Sequence, residues 1–173
     1  MSDKHIIQEL KGIRIDCMYG KKKHYNARDR YSKYHTRLGI AIIVITSFMG
    51  TSVFFSLSEN ALLHVRIITG LLIVLDAVLA GLQTFFNFEK RALEHKLTAD
   101  KYLALMKKSQ RFISYYKYGN TSMNEIKGEI ERLSQEIQDI QKNEPEVSPR
   151  DYQKAKEGIK DGEEIYIDEE KKI

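Results

Sequence analysis

Asp76 is the residue whose chemistry has to be explained first. It lies near the middle of "IITGLLIVLDAVLAGLQTFFNF", residues 67–88, an otherwise apolar stretch that also carries Thr69, Gln83 and Asn87. A carboxylate flanked by amide and hydroxyl groups can attract a cation or anchor hydrogen bonds. On a helix turning about 100° per residue, Thr69, Ala80, Gln83 and Asn87 fall within roughly 40° of Asp76. They form one polar stripe. A charged Asp at the centre of a lipid-embedded helix costs about 2.5–3.5 kcal/mol, so the stripe must face protein or water. Two arrangements satisfy that condition. Several copies of Thr69, Asp76, Gln83 and Asn87 could line a shared pore, where a ring of carboxylates favours cations over anions. Alternatively, Asp76 is hydrogen-bonded by Thr46 or Ser47 within a single chain.

No enzyme chemistry is legible elsewhere. The five histidines (5, 24, 35, 64 and 95) are scattered, with no zinc-ligand spacing and no glycine-rich phosphate loop nearby. No serine sits in a nucleophile elbow. Cys17 is the only cysteine and reads as a small packing residue. No catalytic residue, metal or cofactor is therefore expected.

The elements that position Asp76 follow from the apolar runs. Residues 38–57, "LGIAIIVITSFMGTSVFFSL", carry no charge and as a helix span roughly 30 Å, the thickness of a bilayer core. Residues 67–88 form a second run of similar length, after the short connection "SENALLHVR". The fold class expected is an all-α membrane protein built on a transmembrane helical hairpin. A soluble protein with two buried core helices is the alternative. Beside the polar stripe lies a stripe of small residues, Gly70, Ala77, Gly81 and Thr84, and the first run has its own in Gly39, Thr46, Ser47 and Gly50. Small residues let helices approach closely, so these two stripes are expected to pack the hairpin.

Charge sets the orientation. Residues 21–37 hold seven Lys or Arg and residues 90–111 hold seven more, whereas the connection has only Arg66 at its edge. Positive flanks stay cytoplasmic and suit an anionic inner leaflet. Both termini are expected inside, with 58–65 outside. The basic and aromatic composition of 22–37 could also bind nucleic acid. Its place beside a span explains it without that, and nucleic acid is not an expected partner.

Four regions result. Residues 1–37 are a cytoplasmic amphipathic and basic region, with a short helix over 2–17 and a helix from 22 running into the first span. Residues 38–88 are the hairpin. Residues 89–143 form a cytoplasmic helical hairpin or coiled coil, in which the second span continues as one helix to Gly119. Ser122 and Glu125 then form a capping box. Ile126, Ile130, Leu133, Ile137 and Ile140 repeat at coiled-coil spacing, a seam for the preceding helix or for another subunit. Residues 144–173 carry 16 charges and two prolines and are expected to be a mobile tail, with "EEIYIDEE" near its end.

The segments "KKKHYNARDRYSKYHTRLG" and "FEKRALEHKLTADKYLALMKKSQRF" around the two spans give the chain a further likeness. It resembles the SLATT proteins, bacterial two-transmembrane effectors found with nucleotide-based conflict systems. The resemblance covers about residues 6–140 and brings no catalytic motif. It implies a role in antiphage defence at the bacterial inner membrane. A cytoplasmic signalling enzyme or nucleotide second messenger would activate the protein, which would then form or gate a pore as a homo-oligomer. The rival expectation is a non-conducting scaffold that recruits a partner such as a nucleotidyltransferase or reverse transcriptase.

Overall fold

The computed structural model describes residues 3–57, 62–117 and 122–163. Each regular element among them is an α-helix: α1 (Asp3–Ser56), α2 (Leu63–Phe86), α3 (Phe88–Lys117), α4 (Met123–Asn143) and α5 (Pro149–Lys160). The chain divides into two compact units, one of Met1–Asp29 with Leu93–Ile173 and one of Arg30–Ala92.

The first unit has a core of aliphatic side chains from four helices. Helix α1 supplies Ile6, Leu10, Ile13, Cys17 and Met18; α3 supplies Tyr102, Leu105, Met106 and Ile113. Helix α4 supplies Ile126, Ile130, Leu133 and Ile137, with Ile140 packed at the edge, and α5 supplies Ile159. The short helix expected over 2–17 is thus the first part of a longer, unbroken one. Gly20 does not end it. A Cβ there would lie 2.7 Å from the Tyr102 ring, so glycine is what lets α3 approach. Lys108 bridges α3 to Glu129 (2.7 Å) and Glu136 (3.2 Å) on α4.

Helix α4 begins at the expected capping box. The Ser122 hydroxyl accepts from Glu125 N, and Glu125 Oε2 accepts from Ser122 N at 2.9 Å. The expected stop at Gly119 lies outside the described residues.

The mobile tail expected from residue 144 is corrected for 149–160, which form α5. The prolines read as disorder signals, yet Pro149 occupies the first turn, where its missing N–H costs nothing. Ser148 caps the helix by accepting from Asp151 N at 3.2 Å. Ala155, Gly158 and Ile159 are buried, and Asn26 Nδ2 donates to the Asp151 carbonyl at 3.1 Å. Residues 164–173, most of "EEIYIDEE", lie outside the described residues.

In the second unit, α1 from Arg30 onward and α2 run antiparallel. Thr46 meets Asp76, Gly39 approaches Gln83, and Tyr34 packs on Phe88. Away from this contact both helices expose large apolar side chains, among them Ile43, Phe48, Phe54, Leu71, Val74 and Val78. A soluble protein would cover such a surface; lipid can. Both helices are long and apolar enough to cross a membrane. At one end of the pair, Arg30 lies 4.3 Å from the Tyr31 ring centre and Tyr31 stacks near Phe88. Aromatic rings and cations of this kind suit the headgroup layer.

Candidate functional site: a polar seam between two apolar helices

The surface that α2 turns to α1 is set by a regular repeat. Val65, Thr69, Leu72, Asp76, Leu79 and Gln83 are its partly or fully buried positions, spaced 4, 3, 4, 3 and 4. The partly buried positions of α1 include a similar repeat, Tyr31, His35, Leu38, Ile42, Ile45, Met49, Ser52 and Ser56, with Gly39, Ala41 and Val53 beside it. Such spacing keeps one side of each helix on its partner along the whole contact. Every second turn of the α2 seam is polar.

Asp76 lies at the middle of this seam. Its Oδ2 accepts from Thr46 Oγ1 at 3.1 Å, and its Oδ1 is shielded from solvent with no hydrogen-bond partner. Thr46 Oγ1 is also 2.8 Å from the Ile42 carbonyl. Thr69 is buried, at 4% exposure. At the other end of the seam a cleft of about 400 Å³ opens between His35, Gln83, Asn87 and Glu89.

Two expected roles change. First, the α1 stripe meets the polar side of α2 rather than its small-residue stripe. Gly50, Gly70 and Gly81 have nothing within 4 Å of where a Cβ would stand, and Ala77 and Ser47 do not belong to the buried repeat. Of that set Gly39 and Thr46 approach α2, where they meet Gln83 and Asp76. Small residues permit close approach, but a polar stripe has to be hidden, and the pairing follows the polar stripe. Second, Asn87 is exposed and serves as a joint. Its left-handed backbone (φ 43°, ψ 52°) ends α2, and its Oδ1 accepts from Lys90 N at 3.3 Å to start α3. The second span therefore does not run straight on as one helix. The seam of Ile126, Ile130, Leu133 and Ile137 lies in the intrachain core with residues of α1 and α3, in keeping with the first of the two partners expected for it.

A second polar cluster, unforeseen from the sequence, lies in the first unit. His24, on the core-facing side of α1, is fully buried. Its Nδ1 is 2.9 Å from Nδ1 of His95 on α3, and its Nε2 is 2.9 Å from Glu144 Oε2 at the end of α4. Glu144 also accepts from Lys23 Nζ (2.6 Å) and Tyr102 OH (2.7 Å). Burial alone would raise the Glu144 carboxyl, but the donors His24, Lys23 and Tyr102 hold it down to about 2. Burial, together with the carboxylate beside it, pushes the Tyr102 hydroxyl well above its ordinary range, so it stays a donor. The Cys17 thiol is raised to about 12 by burial and by Asp16, which makes it an inert packing group. The signal for His24 was its register: it follows Ile6, Leu10, Ile13, Cys17 and Gly20 on the same face of α1.

These features define an all-helical membrane protein with two apolar helices paired through a polar seam. The chain belongs to the SMODS and SLOG-associating 2TM effector domain family 4, which it matches over residues 5–171. Neither curated proteins nor solved structures give a match.

Proposed function

We propose that this protein is an inner-membrane effector of a bacterial antiphage system, which oligomerises and forms or gates a pore after a cytoplasmic partner or nucleotide signal acts on it. In this reading α1 from residue 38 and α2 form a transmembrane hairpin with both termini in the cytoplasm, as the basic flanks favour. The observation that carries it is Asp76, with one unpartnered oxygen, in a pair of helices whose outer faces are apolar. A structural pair has no need of a carboxylate there, since an apolar side chain would pack the same seam without desolvating a charge. The single chain is the closed state. Activation turns Thr69, Asp76 and Gln83 away from α1 toward a centre shared by several copies.

The test is to express the protein with its activating system and follow membrane potential. Asp76→Ala and Gln83→Leu should each reduce depolarisation at equal protein level. Depolarisation unchanged in both would remove the pore-lining role. The scaffold reading draws support from the polar seam being hidden within one chain, which requires no second copy. It requires activated protein in liposomes to pass no ions while still recruiting its partner.

A further inference from the structure

His24 commits both ring nitrogens, and its neighbours determine which carries hydrogen. Glu144 is ionised, and an ionised carboxylate only accepts. His24 Nε2, 2.9 Å from it, must therefore be the N–H. A neutral imidazole has a single N–H, so His24 Nδ1 presents a lone pair. Across the 2.9 Å contact, Nδ1 of His95 must then donate. The protons are assigned from the bonding network, as hydrogen positions generally are. The chain of donors runs from His95 through His24 to Glu144.

This arrangement tolerates one added proton and not two. With one, a single hydrogen still lies between the facing nitrogens. With two, both Nδ1 atoms carry hydrogen, and N–H points at N–H across 2.9 Å. Two cations would then sit together in a buried site, where like charges repel most strongly. The charged and titratable groups facing His24 are Lys23 from α1, His95 and Tyr102 from α3, and Glu144 from the end of α4. Among these Glu144 alone is negative, and Lys23 already pairs with it.

We propose that the His24–His95 contact is a proton-operated latch between α1 and α3, closed while the pair holds at most one added proton and opened when it takes up a second. The open form binds more protons, so acid favours opening and alkali favours closure. The latch is independent of whether the membrane helices form a pore.

The experiment uses the full chain in lipid nanodiscs with isotope-labelled histidine. At about pH 7.5, above the range where imidazoles usually charge, long-range proton–nitrogen correlations should show Nε2–H for His24 and Nδ1–H for His95. Two Nε2–H tautomers, or Nδ1–H on His24 alone, would overturn the assignment. Hydrogen exchange of residues 93–105 should quicken roughly tenfold between about pH 7.5 and about pH 5 after correction for intrinsic rates. His95→Asn places an amide nitrogen near the position of Nδ1, so it keeps the donor and cannot titrate. That variant should lose the acid response. Equal acceleration in wild type and variant, or none in wild type, overturns the latch. The wild-type tautomer and exchange measurements decide the question without the variant if it does not fold.

Discussion

Thr46 Oγ1 stands 3.1 Å from Asp76 Oδ2 and 2.8 Å from the Ile42 carbonyl, so one hydroxyl hydrogen serves two acceptors. The bond to Asp76 is therefore shared, while Oδ1 has no partner. This predicts opposite effects from the two sides of the contact. Thr46→Val leaves the carboxyl with no donor and should destabilise the protein by about 1–3 kcal/mol, the usual penalty for an orphaned buried polar group. Asp76→Leu removes the group that needs hiding and should be neutral or stabilising. The double variant should resemble Asp76→Leu, because Thr46 then has nothing left to satisfy. Thermal unfolding in one detergent checks all three; a Thr46→Val penalty that persists in the double variant would contradict the pairing.

Asn87 joins α2 to α3 in a left-handed conformation, with φ at 43°. Glycine adopts that region freely, asparagine tolerates it, and a β-branched residue clashes with its own backbone. Asn87→Gly should keep the fold, losing only the side-chain cap on Lys90 N. Asn87→Val should cost about 1–2 kcal/mol, the strain of a left-handed residue with a branched Cβ. Melting temperatures of the two variants give the order: near wild type for Gly, clearly lower for Val. Equal melting would mean that the joint straightens at no cost.

The two long apolar helices were legible because charge-free runs of that length suit few structures besides a membrane helix. The polar stripe was legible too, since Thr69, Asp76 and Gln83 recur every seven residues. What that stripe meets was not. A helical wheel tells which residues share a side and is silent on what that side touches, so the small-residue stripe had the marks of a packing surface. The α4 seam could be recognised as a seam, but its owner could not, since an intrachain core and a subunit interface use the same spacing. Proline misled in the tail, where Pro149 begins a helix. Of the histidine cluster only the register of His24 on the core side of α1 was legible; its partners were not. His24 meets His95 across 71 residues and Glu144 across 120, and neither separation leaves a local pattern.

Gly20 supports the Tyr102 ring, whose hydroxyl reaches Glu144 at 2.7 Å. Gly20→Ala places a methyl group 2.7 Å from rigid ring atoms in a filled core. It should destabilise by about 1–3 kcal/mol through overpacking, despite the better helix propensity of alanine. Gly12 is the control, on the same helix with nothing within 4 Å. Gly12→Ala should stabilise by up to about 1 kcal/mol. Denaturant midpoints of the two variants should therefore move in opposite directions. A shift of the same sign in both would show that the ring does not rest on Gly20.

Glu144 links α1, α3 and the end of α4, and its carboxyl is held from the ordinary 4.5 down to about 2 against the opposing effect of burial. A folded-state value below the unfolded one means that the unfolded chain binds the proton first as pH falls. The stabilisation from Glu144 should thus be fully present above 4.5 and be lost progressively as pH falls toward about 2. Glu144→Gln accepts from Lys23 and Tyr102 without titrating. It should be less stable than wild type at neutral pH, since charge-assisted bonds are the stronger ones. Below 4.5 the gap between the two should narrow, because wild type becomes neutral as well. The measurement is the difference in melting temperature between wild type and Glu144→Gln as a function of pH, which cancels the other carboxylates. A difference that stays constant through the acid range would show that Glu144 keeps its ordinary proton affinity and does not hold the three helices together through charge.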